Sequence, residues 1–433
     1  MSKVLVIGLQ RSGHAAIRLL RKEGYEVVVT INNELTKEDR ELLGDIVVYD
    51  KGHPDSLLDE NWEFIVKNPG VPYRIPFVQK ALEKGFRIIS EIELAYLYSN
   101  NINLAITGTN GKTTTTTLIY DIFKEMFDNV YCAGNIGLPL SDIVIEHPND
   151  NIMILELSSF QLMGIETFKP HIATILNLSP DHLDYMPSVD AYYKSKLAIY
   201  KNQTENDYFL LNEDDEAVLE YVKDVKAKVI KFSLIKESDA CLKDGWLYYR
   251  DEAIIDTSKV KVIGQHNLYN ILVAICYAKL MNVSNEIIQE VVYNFKGVEF
   301  RLERVEGFKS NIYYNDSKST TPDSTIIAVN ALSNDKSVLI LGGFDKGLDF
   351  SELNELIDKK DNIELVLTFG QIKDNFSKMK TDVLTFADLD SVIKYIEENI
   401  DNKTILFSPA TSSFDQYENY EQRGKHFNKL IKR

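Results

Sequence analysis

The sequence predicts an α/β protein of about three domains. Three observations carry that reading. The chain has 433 residues, near three times a domain length of roughly 150. Short β-branched apolar runs recur, each followed by a glycine-containing turn and a stretch of helical period, the alternation that builds parallel sheets. The runs are apolar throughout, as strands covered on both faces require.

The elements follow in order. Val4–Ile7 and Glu26–Thr30 read as strands flanking a helix over Ser12–Lys22. Glu91–Tyr98 reads as a helix or connector before a second sheet built from Asn103–Thr107, Ile152–Leu157 and Ile172–Leu176. Lys226–Lys261 alternates, as in Trp246-Leu-Tyr-Tyr-Arg250 and Glu252-Ala-Ile-Ile-Asp256, and predicts antiparallel strands appended to the middle domain. Asn294–Gly297, just before Arg301, reads as the next junction. Val338–Leu341, Ile363–Thr368 and Thr404–Phe407 read as strands of a third sheet. The junctions divide the chain into 1–90, 91–297 and 298–433.

Composition excludes several classes of function. Lys and Arg total 48 and Asp and Glu 65, a formal charge of −17. A nucleic-acid or anionic-membrane binder needs clustered cations, so neither partner is expected. A small anionic ligand remains open, since one local basic pocket suffices. Cys132, Cys241 and Cys276 are too few and too scattered for a disulfide framework or a zinc site. No apolar run approaches the ~18 residues of a membrane span. The N-terminus reads as a first strand rather than a signal peptide, which predicts a cytoplasmic protein.

The strongest local signal is Thr107-Gly-Thr-Asn-Gly-Lys-Thr-Thr114, directly after a predicted strand. Its glycines let successive backbone N–H groups turn toward phosphate oxygens, and the following helix adds its positive end. Lys112 is placed to pair with the β- and γ-phosphates, and the Thr113 hydroxyl to bind Mg²⁺. The spacing is the tighter Gly-x-x-Gly-Lys-Thr, with Ile106 where the usual loop has its first glycine. Thr113 to Thr117 are poor helix starters by propensity, and hydroxyls there suit phosphate and metal ligation. A second turn, Gly8-Leu-Gln-Arg-Ser-Gly13, has Gln10 in place of the middle glycine of a dinucleotide fingerprint. Thr30-Ile-Asn-Asn33 offers no acidic residue to a ribose. NAD is therefore not expected, whereas a nucleotide diphosphate could rest at Ser12 and Gly13.

Downstream lie Gly134-Asn-Ile-Gly137, Leu155-Glu-Leu-Ser-Ser-Phe-Gln161, Asn177-Leu-Ser-Pro-Asp-His-Leu-Asp184 and Tyr193-Lys-Ser-Lys-Leu197. Glu156 and His182 fall at or just beyond the C-terminal ends of predicted strands, where open α/β sheets bind ligands. Glu156 is a charge inside an apolar run and needs a partner or a metal. With Thr113 it could supply hard oxygens to Mg²⁺. By spacing alone, His182 serves as well as a loop histidine and Lys196 as a solvated helix lysine.

Taken together, these segments resemble the Mur ligases. So do Gly264-Gln-His-Asn267-x-x-Asn270, Asn315-Asp-Ser-Lys318, Gly342-Gly343-x-Asp-Lys346 and Ser408-Pro-Ala410. Within that family, Glu156–Leu162 and Ser413-Phe-Asp-Gln-Tyr-Glu-Asn-Tyr-Glu-Gln-Arg-Gly424 resemble the branch that adds D-glutamate. The motifs occur in order from Val4 to the last helix. The resemblance implies a Rossmann-like sugar-nucleotide domain, a central P-loop ATPase-type domain and a C-terminal Rossmann-like domain that closes over ATP. It implies a reaction in which the carboxylate of UDP-N-acetylmuramoyl-L-alanine attacks the γ-phosphate of ATP. The amine of D-glutamate then displaces phosphate from the acyl phosphate.

The resemblance also implies roles. Thr109, Asn110, Gly111, Lys112, Thr113, Thr114, Thr115, Asn267, Asn270, Arg301 and Asp316 would bind ATP. Gly8, Ser12, Gly13, Asn32, Gly70, Asn135 and His182 would bind the sugar nucleotide or phosphate. Lys318, Thr320, Lys346, Ser413 and Tyr420 would bind incoming glutamate and phosphate. Lys112, Glu156, His182 and Lys196 would be catalytic. Two Mg²⁺ ions would use Thr113, Glu156, His182 and a carbamate on Lys196. A monomer is the implied default. By residue type alone, Lys346 serves equally as a solvated loop residue and Tyr420 as core.

Some positions depart from the family pattern. Gln10 and Arg11 occupy the first glycine turn, Thr30-Ile-Asn-Asn33 replaces charged uridine contacts, and Asn68-Pro-Gly-Val71 stands where Ser-Pro-Gly is commoner. Phe300 replaces a frequent His, and Thr321 a frequent Asn. Two other readings are a Mur-fold ligase for a different amino acid and a non-ligase nucleotide-binding switch.

Overall fold

The computed structural model describes residues 2–181, 185–332, 336–377 and 379–432. It contains three sheets. The first joins β1 (Lys3–Ile7), β2 (Glu26–Thr30), β3 (Val47–Tyr49), β4 (Phe64–Lys67) and β5 (Ile88–Ile89) in the parallel order 3-2-1-4-5. The second contains β6 (Asn100–Thr107), β7 (Val130–Gly134), β8 (Asn149–Glu156), β9 (Ile172–Ile175) and β10 (Tyr208–Asn212). It continues through β11 (Lys228–Ser233), β12 (Ala240–Lys243), β13 (Trp246–Tyr249) and β14 (Glu252–Asp256), in the order 14-13-12-11-10-9-6-8-7. The third joins β15 (Glu303–Val305), β16 (Ile312–Asn315), β17 (Ser337–Gly343), β18 (Ile363–Gly370), β19 (Val383–Thr385) and β20 (Thr404–Phe407) in the order 15-16-20-17-18-19.

The α/β expectation holds, and each predicted strand lies within or overlaps an observed one. One expectation needs correction. The segment 226–261 is not a separate antiparallel addition: β11 runs parallel to β10, with Tyr208 opposite Lys228, and β12 runs parallel to β11. Antiparallel pairing begins only at β12–β13–β14. The alternating residues near Trp246 reported the terminal hairpins, while Val229 and Ile230 belong to the parallel core sheet.

The chain forms two compact units. One comprises Met1–Ser258 with Tyr269–Val292 and carries the first two sheets; the other comprises Lys259–Leu268 with Tyr293–Arg433 and carries the third. Within the first unit, helix Arg11–Lys22 buries Ala15, Ala16, Leu19 and Leu20. Its exposed side grips helix Leu140–Glu146. Arg18 donates two hydrogen bonds to the Asp142 carboxylate, at 2.9 and 2.7 Å, and Arg11 Nη2 donates to Gly137 O at 2.6 Å. These bonds set the glycine turn of the first sheet beside the Gly134–Gly137 turn of the second.

Candidate active site

The phosphate loop sits at the C-terminal edge of the central strands. Ile106 of β6 lies opposite Glu156 of β8, which lies opposite Gly134 of β7. The loop is bracketed from the side: Asn110 N donates to Asn177 Oδ1 at 2.8 Å, and Asn177 Nδ2 donates back to Asn110 O at 3.0 Å. Thr109 Oγ1 donates to Ser179 O and accepts from Ser179 N. Gly111 then turns left-handed at φ +83° and starts helix Lys112–Phe123. A Cβ there would meet Asn270 Oδ1 at 2.5 Å. Asn270 is itself held by the Thr115 hydroxyl at 3.1 Å. Thr115 and Asn270 thus brace the loop from inside, with Thr115 fully buried.

Two lysines converge on one carbonyl. Lys112 Nζ and Lys196 Nζ both donate to Gly108 O at 2.9 Å, and Lys112 also reaches Thr109 O. Lys196 is 1% exposed and lies 4.6 Å from the center of the Tyr192 ring. Its pKa is held well below the usual lysine value, chiefly by burial and secondarily by the charge of Lys112. Lys194, two residues away, is exposed and pairs with Asp190 at 2.9 Å. Glu156 is 1% exposed. Its Oε1 accepts from Asn135 Nδ2 at 2.7 Å, whereas Oε2 has no hydrogen-bond partner among the described residues. A buried carboxylate oxygen left bare in this way fits a hard cation. His182 lies outside the described residues.

Two cavities lie beside the first glycine turn. One, of 530 Å³, is lined by residues including Gly8, Asn32, His53, Gly70, Val71 and Phe77. The other, of 320 Å³, includes Ser12, Asn68, Gly70, Asn135, Phe160 and Gln161. The structure therefore gathers Gly8, Asn32 and Gly70 at one cavity and Ser12, Gly70 and Asn135 at the next. Gly13 stands behind them, close against Gly8 O.

In the second unit, the remaining candidates gather at the C-terminal edge of the third sheet. Lys346 Nζ donates to Thr320 O at 3.2 Å, and Lys318 Nζ lies 5.9 Å from the Tyr420 ring center. Ser413 is buried, with its carbonyl accepting from Gln416 N and Tyr417 N. The carboxylate of Asp316 accepts from Leu302 N, Ser319 Oγ and Ser408 Oγ, so it orders the turn carrying Arg301. Burial raises its pKa to about 6. Asn267 Nδ2 donates to Ile263 O at 2.6 Å. Arg423, which sequence reasoning passed over, is fully buried and donates to Ser317 Oγ and to the carbonyls of Gly342, Ser317 and Thr411. It ties together the turns that lead to Lys318, Lys346 and Ser413. The sequence likewise assigns no role to Asn177 or Tyr192. Only the position of Asn177 at a strand end hinted at its role.

A glycine–lysine loop at a parallel sheet edge, with a bare acidic oxygen and two converging lysines, has the form of the phosphate loop of α/β nucleotide-binding folds. Residues 106–278 match the Mur ligase middle domain, and residues 2–90 match the MurD-like N-terminal domain of Mur ligases. The chain is 40% identical to a UDP-N-acetylmuramoylalanine--D-glutamate ligase of Geobacillus kaustophilus, covering 98% of this chain and 96% of that protein. It is equally identical to a ligase of the same name from Staphylococcus aureus, over 98% and 95%. Among solved structures, a MurF ligase of Thermotoga maritima in complex with ADP aligns at a TM-score of 0.63. Its identity is 18%, over 99% of this chain and 95% of that one. A UDP-N-acetylmuramate-alanine ligase, MurC, of the same organism aligns at 0.58 with 19% identity over 99% of each. The chain belongs to the Mur ligase family, whose members form an amide bond at the expense of ATP in peptidoglycan precursor synthesis.

Proposed function

We propose that this chain joins D-glutamate to UDP-N-acetylmuramoyl-L-alanine, with ATP as the phosphate donor. The observation that carries this choice of substrates is the 40% identity over nearly the whole chain to ligases of that name. The arrangement of side chains supports the chemistry. The first step brings a carboxylate to a triphosphate, so positive charge must neutralize both. Lys112 and the loop N–H groups supply it on the ATP side. Asn135, bonded to Glu156 and lining the 320 Å³ cavity, orients the acceptor end of the sugar nucleotide. Lys318, Thr320, Lys346, Ser413 and Tyr420 hold the incoming amino acid.

Mg²⁺, when bound, supplies Lewis-acid polarization of the phosphate oxygens. Thr113 and Glu156 would hold it, with His182 and a carbamate on Lys196 for a second ion. The bare Oε2 of Glu156 fits this role. The carbamate suits Lys196 because only a neutral amine attacks CO₂, and burial beside Lys112 favors the neutral form. The neutral amine would add to CO₂ with loss of one N–H proton to solvent, and the side chain would then carry a carbamate oxygen donor. We also read 1–90 as the sugar-nucleotide domain, 91–297 as the ATP domain and 298–433 as the amino-acid domain of a cytoplasmic monomer.

The test is a phosphate-release assay with UDP-N-acetylmuramoyl-L-alanine, ATP and a panel of amino acids. Release dependent on both the sugar nucleotide and D-glutamate is expected. Turnover with a different amino acid and none with D-glutamate would overturn the substrate assignment.

A further inference from the structure

Lys67 ends β4 and is a buried cation without an acid. It is 2% exposed, and no charged partner among the described residues acts on it. Its Nζ donates to Asn68 O at 3.2 Å and Val71 O at 2.8 Å, and sits 4.2 Å above the Tyr73 ring. An uncompensated buried charge is normally destabilizing, so its presence calls for a use.

The segment it fastens is the wall between the two cavities. Gly70 lines both, Val71 lines the larger, and Asn68 and Pro69 line the smaller. The wall presses on the first glycine turn: a Cβ on Gly8 would meet Val71 Cγ2 at 2.8 Å and Asn68 Cβ at 2.9 Å. Asn68 is 4% exposed, and its Oδ1 accepts from Gly70 N at 3.0 Å. That bond fixes which way the amide faces. Its Nδ2 is left without a partner among the described residues. It points at the start of helix Arg11–Lys22, 3.5 Å from where a Cβ on Gly13 would lie. A helix start and an orphaned buried donor together suit an anion.

We propose that Asn68 Nδ2 donates to the diphosphate of the sugar nucleotide and that Lys67 is its positioning residue, holding Asn68–Val71 in place through two carbonyls. This deepens the function proposed above and rests on it. Burial of Lys67, which pushes its pKa down to about 7, is the standing penalty of that arrangement. Removing the charge is therefore expected to help the fold while harming the site.

The test is calorimetric titration of the full chain with UDP-N-acetylmuramoyl-L-alanine, beside thermal melts. Lys67→Met and Asn68→Ala are each expected to weaken binding about tenfold, the loss of one charge-assisted bond or of its aim. The KM values for ATP and D-glutamate are expected to stay unchanged. Lys67→Met is also expected to melt at or above the wild-type temperature. Stability and affinity moving in opposite directions would not follow from a merely structural lysine. Affinity within twofold of wild type in both variants, or a parallel rise in all three KM values, would overturn the proposal. If Lys67→Met does not fold, Asn68→Ala decides alone. If the wild-type chain itself fails to bind the sugar nucleotide, it is the function reading that fails.

Discussion

Lys196 and Lys194 stand on one helix, yet their surroundings give them opposite chemistry. Lys196 is buried on the Gly108 carbonyl, whereas Lys194 is exposed beside Asp190. Lys196→Ala is expected to lower turnover at least a hundredfold in the phosphate-release assay. Short carboxylic acids are expected to restore part of it if, as proposed, Lys196 carries a carbamate whose oxygens they can replace. Lys194→Ala is expected to stay within twofold of wild type, since an exposed pair contributes little. Gly111 makes a different demand. Its left-handed backbone and the 2.5 Å approach of Asn270 Oδ1 leave no room for a Cβ. Gly111→Ala should raise the KM for ATP about tenfold or more, with smaller effects on the other substrates; equal effects on all three would speak for general misfolding.

At the scale of elements, the connector helix Glu91–Leu97 carries a buried acid between the first two sheets. Glu91 Oε1 accepts from Ser141 N at 2.5 Å, while Oε2 is unpartnered among the described residues. Burial raises its pKa from 4.5 to about 7. The folded chain therefore holds this proton more tightly than the unfolded chain between pH 4.5 and 7, and stability falls as pH rises through that window. Glu91→Gln keeps the acceptor and removes the charge. Its melting temperature should exceed wild type at pH 8, with the gain shrinking toward pH 5; a gain independent of pH would contradict this. Arg423 is the counterpart in the third sheet, where one guanidinium joins turns from three segments. Arg423→Leu strands several buried carbonyls and should destabilize its unit by about 3 kcal/mol in denaturant unfolding.

At the scale of the molecule, each compact unit owns its cores. Val4, Leu155 and Phe209 belong to one cluster in the first unit, and Leu339 and Leu406 to another in the second. Calorimetry should accordingly resolve more than one unfolding transition, since separately cored units do not unfold as one. A single symmetric transition with equal calorimetric and van't Hoff enthalpies would refute this. None of the described helices is long and apolar enough to cross a membrane.

How much of this was legible in advance follows from the range of the interactions. The strand–turn–helix order and the phosphate loop were legible, because glycine φ freedom, β-branched runs and a neighboring lysine act over a few residues. Their chemistry travels with the local chain. The bracket of Asn177 on Asn110 spans 67 residues, and the Arg423 bond to Ser317 spans 106. No local pattern announces such partners. The α/β class, the loop and the order of the family motifs are all written in the chain itself. Packing alone sets the rest: Lys196 is buried with its pKa held down, Glu156 keeps a bare oxygen, and Lys67 stands behind the wall of two cavities. Each of those states depends on which distant groups exclude water from a side chain, and exclusion of water is a property of packing.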